Sequence, residues 1–171
     1  MPPFFTRPVC EGVGRTSNER RDDMPFLPKS KRRITEIFVH CSATAPTHDV
    51  RMADLRRWHK ARGFNDVGYH GAIIRDGRLQ KGRDVNVPGA HARGHNRNSI
   101  GICMIGGLGK DNRPAPDYTR AQWRTLKAVI AELQEQYPDA VVRGHNETAP
   151  KACPSFSVAD WLRDGTVTPV A

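Results

Sequence analysis

The 171-residue sequence predicts a mixed α/β domain in which helices flank a central, mostly mixed β-sheet. Three observations predict it. The segment ITEIFVHC, from Ile34, is β-branched and aromatic and alternates, with Ile37, Val39 and Cys41 on one side and Glu36, Phe38 and His40 on the other. SIGICMIGG is a short apolar run bounded by glycine, as a buried strand requires. Between and after these runs, helical patterns alternate with strand patterns, and that order builds a sheet covered by helices.

The remaining elements follow in chain order. Asp49 is positioned to cap a helix reaching about Arg62, whose Met52, Leu55 and Trp58 recur at helical spacing, and Gly63 suits its exit. GYHGAIIRDGRLQKG reads as a hairpin about Asp76-Gly77, a dipeptide that accepts positive φ. Thr119 and Gln122 form a capping box before the longest helix. Trp123, Leu126, Ile130, Leu133 and Tyr137 give that helix one apolar face, and Pro138 ends it. AVVRGH is a short strand, and Ser157 with Asp160 repeats the box pattern before a final turn with Trp161 and Leu162.

Residues 1–33 hold five prolines, many charges and no apolar period, so they read as a disordered basic leader, with the domain proper spanning 34–171. Met24 is a second candidate start beside Met1. Formal net charge is +9, with eight Lys/Arg against four Asp/Glu in the first 33 residues. Such a field attracts polyanions. No basic stripe interleaved with aromatics appears after the leader, which favours an anionic envelope polymer over nucleic acid, with Lys29, Lys31, Arg32 and Arg33 as the leader's basic end.

The four cysteines are scattered, without a CxxC pair. The start lacks the apolar core of a signal peptide, and no apolar run reaches the ~18 residues of a membrane span. The expectation is a monomer made in the cytosol.

His40, at the end of the first strand, His145, closing the last, and Cys153, in a loop bounded by Pro150 and Pro154, have the character of zinc ligands. Two imidazoles and a thiolate suit zinc and leave a fourth position for water. On spacing alone this is no local signature. The ordinary reading stays open: a strand-end histidine, a turn histidine and a small core cysteine.

Longer strings narrow the choice. IFVHCSAT, WHKARGFNDVGYH, HARGHNRNSIGICMIGG and HNETAPKACPSF together resemble the zinc-dependent N-acetylmuramoyl-L-alanine amidases, the type 2 amidases related to peptidoglycan recognition proteins, and in particular the small endolysins of T-odd coliphages. The resemblance runs from Ile34 to Trp161, about three quarters of the chain. It implies an open cleft holding one zinc ion on His40, His145 and Cys153, with Tyr69 and Lys151 as catalytic residues. It further implies that His91 and Asn96 line the cleft and contact the muramyl-peptide.

The implied activity is endolysin cleavage of the bond between N-acetylmuramic acid and L-alanine in peptidoglycan. The enzyme would wait in the cytoplasm of the infected host and reach the wall after holin-type permeabilisation of the membrane. Phage RNA polymerase is a further implied partner, although this N-terminal segment differs from that of the relatives that bind it. The rival enzyme reading is a Cys/His peptidoglycan peptidase with Cys153 as nucleophile. A wall-binding module without catalysis is a third, disfavoured because Cys153 is present.

The other histidines divide as follows: His70 as buried and structural, His59 on the polar margin of its helix, His48 and His95 as loop surface. Cys41 and Cys103 read as core residues, and Cys10 as an incidental thiol of the leader.

Overall fold

The structure is a computed structural model that describes residues 25–170. The expectations for residues 1–24, which include most of the leader, its Cys10 and the choice between Met1 and Met24, lie outside the described residues.

Five strands form one sheet in the order β3-β2-β4-β1-β5. They are β1 (Glu36–Cys41), β2 (Gly71–Ile73), β3 (Leu79–Lys81), β4 (Ser99–Met104) and β5 (Val141–Gly144). β1 runs parallel to both β4 and β5, β2 runs parallel to β4, and only β3 is antiparallel, through the expected hairpin. Gly77 holds φ +92° in that hairpin, and a Cβ there would meet Ala121 at 2.7 Å, so the turn docks tightly on the helix behind it.

Helix α1 (Met52–Ala61) covers one face of the sheet; α2 (Arg120–Gln136) and α3 (Val158–Asp164) cover the other. On the α2 side, Ile37, Val39, Ile100 and Met104 pack with Leu126, Val129, Ile130 and Leu133. On the α1 side, Leu55 packs with Val67, Ala72, Ile74, Cys103 and Ile105. β4 is therefore buried along its whole length, as a parallel strand covered on both faces must be.

The box at Thr119 forms as expected, with Gln122 N–H donating to Thr119 Oγ1 at 3.1 Å and Thr119 N–H donating to Gln122 Oε1 at 3.0 Å. The same buried Gln122 amide also donates to the carbonyls of Ile73 and Ile105, riveting the helix start to the ends of β2 and β4. α1 starts later than expected. Asp49 pairs with Arg51 at 2.8 Å instead of capping, and Asp54 accepts the Arg51 N–H at 3.0 Å.

The folded body begins before Ile34. Leu27 is 1% exposed and belongs to the α2-side core. The Phe26 and Leu27 amides donate to the Glu132 carboxylate. The Arg32 guanidinium donates to the carbonyls of Val85, Arg97 and Ser99 at 2.7–3.0 Å. A strap fastened by Phe26 and Leu27 and by hydrogen bonds to distant groups has no period of its own, which is why composition assigns it to the leader.

Candidate metal centre

Neighbouring parallel strands bring the first two candidate ligands together. Val39 lies opposite Gly144 in the β1–β5 register, so His40 and His145 follow at the C-terminal ends of adjacent strands. That edge is where open α/β sheets present their binding residues. The loop after β5 turns back on itself, with Asn146 N–H donating to the Cys153 carbonyl at 2.7 Å, and delivers the Cys153 thiol to the same point.

One ligand atom from each of His40, His145 and Cys153 lies within 4.8 Å of the others. The two rings sit 4.6 Å apart, and Cys153 Sγ lies 3.8 Å from His40 Nδ1 while accepting the Cys41 N–H at 3.1 Å. Burial, reinforced by neighbouring His91, His145 and Lys151, holds His40 well below the usual imidazole range. Burial and the Lys151 charge lower His145 too. Both rings are thus neutral near pH 7, the form that offers a lone pair. The hydrogen bond shared with the Cys41 thiol, together with burial, pushes the Cys153 thiol up, so its thiolate depends on a cation in the cluster. Two neutral imidazoles and a thiol of this kind fit a zinc ion.

The cluster forms part of a cleft of about 1060 Å³. Tyr69 stands beside it, its ring 5.2 Å from that of His40, and burial pushes its phenol well above the ordinary value. Lys151 is exposed and lines the cleft close to Cys153. The structure therefore brings together the three expected ligands and the two residues expected to be catalytic.

His91 and Asn96 also border the cleft, but both His91 ring nitrogens and the Asn96 Oδ1 are engaged within the protein. His91 is 9% exposed, with Nδ1 2.9 Å from His40 Nε2. Asn96 Oδ1 accepts the His91 and Ala92 amides, both at 2.9 Å.

Two other histidines depart from expectation. His59 is buried, not marginal: its Nδ1 accepts the Gly68 N–H at 2.8 Å, and burial lowers it to about 4. His95 is half-buried, with Nδ1 2.8 Å from Glu36 Oε2. His70 is fully buried as expected: Nδ1 accepts the Gly101 N–H, Nε2 faces the Val87 carbonyl, and burial lowers it to about 4. Cys41, read only as core, also touches Cys153; its position directly after His40 in FVHC was the available signal. Trp58, Arg62 and Phe64 line the cleft too, and only their shared place in the WHKARGF string hinted at it.

Residues 30–156 match the N-acetylmuramoyl-L-alanine amidase family, a span that includes every residue of the cluster. The chain belongs to that family. Among its relatives, the endolysin of Escherichia phage T7 is 45% identical over 133 residues, covering 78% of this chain and 88% of its own length. The fold is similar to that of the Ph2119 endolysin from Thermus scotoductus bacteriophage Ph2119, with a TM-score of 0.67 and 25% identity over 86% of this chain and 95% of that one. It is also similar to Drosophila PGRP-LB, with a TM-score of 0.64 and 27% identity over 85% and 91%. The amidase-type sheet and its flanking helices expected from the sequence are thus shared with both.

Proposed function

We propose that this chain is a phage-type endolysin that hydrolyses the amide between the lactyl group of N-acetylmuramic acid and L-alanine of the stem peptide, with one zinc ion held by His40, His145 and Cys153. The observation that carries the reading is the convergence of two neutral imidazoles and a thiol within a cleft spacious enough for a polymer strand. When bound, zinc supplies Lewis-acid polarisation of a carbonyl and a lowered pKa for water.

The chain's own residues supply the rest. Tyr69, kept neutral by its raised pKa, presents a hydroxyl that can donate a hydrogen bond to the reacting oxygen. Lys151 places a cation beside the oxyanion that develops on the scissile carbonyl. His91, Ala92, Arg93, Gly94 and Asn96 line the same cleft. A Cys/His peptidase needs Cys153 free to attack, whereas here its thiol converges with two imidazoles as a ligand set.

The enzyme acts on the wall from within the infected cell once the membrane has been breached, as a monomer. Among the described residues, no helix is long and apolar enough to cross a membrane. Lys29, Lys31 and Arg33 are exposed on the strap and available to an anionic envelope polymer, whereas Arg32 is spent on backbone carbonyls.

The test is turbidity loss of purified peptidoglycan, with a chelator and then with zinc restored. Expected are loss abolished by chelation and recovered with zinc, with new L-alanine amino termini and no new reducing sugars. Loss indifferent to chelation overturns the zinc reading in favour of Cys153 as nucleophile. New reducing ends alone overturn the amidase reading.

A further inference from the structure

The His91 imidazole is buried against the ring of His40, with the two centroids 4.9 Å apart. It lies in a slot made by two glycines: a Cβ at Gly89 would approach the His91 ring to 2.4 Å, and one at Gly101 to 2.5 Å. Both faces of the slot are therefore reserved for that ring. Inside it, Nδ1 lies 2.9 Å from His40 Nε2, and Nε2 lies 3.3 Å from Ser99 Oγ. The slot is held from outside. Asn96 Oδ1 grips the His91 and Ala92 amides, and Arg32 on the strap donates to the carbonyls of Arg97 and Ser99 at 2.8 and 3.0 Å.

We propose that His91 is a positioning residue for the metal ligand His40, and that Ser99 and Arg32 extend its support to the strap. This rests on the zinc reading of the cluster given above. The proton arrangement follows from the contacts. His40 must keep Nδ1 bare toward Cys153 and His145, so its proton sits on Nε2 and is donated to His91 Nδ1. His91 then carries its own proton on Nε2, facing the Ser99 hydroxyl. The chain fixes the tautomer and the rotation of the His40 ring before any metal arrives, which is the usual task of the partner on a ligand's second nitrogen. A His91 devoted to binding muramyl-peptide would instead keep a ring nitrogen for the cleft; both are occupied from within.

Zinc affinity, measured by competition with a chromophoric chelator on the full chain, separates these roles without recourse to activity. His91→Leu, which fills the slot without an acceptor, is expected to bind zinc 10- to 100-fold more weakly (roughly, the range for losing such a partner). His91→Asn, whose Oδ1 hangs from Cγ as the imidazole Nδ1 does, is expected to recover most of that loss, and Arg32→Met to weaken binding by a smaller factor. Zinc affinity unchanged in His91→Leu, with KM for peptidoglycan raised, would overturn the proposal and make His91 a substrate contact. If the leucine variant does not fold, nitrogen NMR of the wild-type histidines decides: His40 protonated on Nε2 is required, and His40 protonated on Nδ1 refutes it. Failure of the wild-type protein to bind zinc would instead bring down the zinc reading itself, and this inference with it.

Discussion

The two faces of β1 are built from different chemistry. Toward α2 the strand turns Ile37, Val39 and Cys41 into a core of aliphatic side chains. Toward the cleft it turns Phe38 and His40, and Phe38 sits among the rings of His40, His91 and His95. Both faces are buried, yet one is held by apolar area and the other by aimed hydrogen bonds. A fold built this way can lose chemistry without losing stability, and stability without losing chemistry.

The sharpest test of that separation is the cluster itself. Cys153→Ser should drop peptidoglycan hydrolysis to background and abolish tight zinc binding, while the free energy of unfolding without metal changes by less than about 1 kcal/mol. A collapse of the metal-free fold would mean that the two faces are not separable. Lys151→Met should come next, lowering kcat by roughly 10²–10³-fold, the scale of a lost oxyanion partner, with zinc affinity near that of wild type.

Leu126→Ala probes the other face: a loss of about 3 kcal/mol in denaturant unfolding, with zinc still bound at one per chain. Acid should act mainly on the cleft side of the sheet. His59 and His70 are lowered to about 4 by burial, so the folded state takes up their protons only near that value, whereas the unfolded chain does so near 6.5. Stability is thus complete above about pH 6.5 and falls as pH drops toward 4, by on the order of 3 kcal/mol per ring. A pH series of thermal unfolding should show that slope, and His70→Asn should flatten it. The smallest effect is expected at the far end of the α2 face, where Thr119→Ala should cost about 1 kcal/mol in the same denaturant titration.

How much of this was legible in the sequence depends on where a residue finds its partners. The box at Thr119 and the turn at Asp76-Gly77 are made by residues within a few positions of one another, so local pattern revealed them. The ligand trio was legible in kind but not in place: spacing left His40, His145 and Cys153 open to a bland reading, and longer strings together with the β1–β5 register united them. The strap was hidden because Leu27 and Arg32 are anchored by groups from about 50 to more than 100 positions away. His59 and His95 were misplaced for a related reason. Helical periodicity assigns a side to His59 without foretelling the Gly68 amide, and a polar loop gives no sign that His95 meets Glu36.

The adjacency of β1 and β5 has a consequence for how the site tolerates change. His40 and His145 are separated by some hundred residues of chain, yet the distance between their backbones is governed by the lateral spacing of hydrogen-bonded strands, about 4.8 Å. The sheet acts as a ruler. Hairpins and loops lying between those two histidines can lengthen, shorten or be exchanged without altering the span that a metal would bridge. Only Cys153, carried on a loop, lacks such a gauge, so the segment from Asn146 to Cys153 is where insertions should detune the centre first.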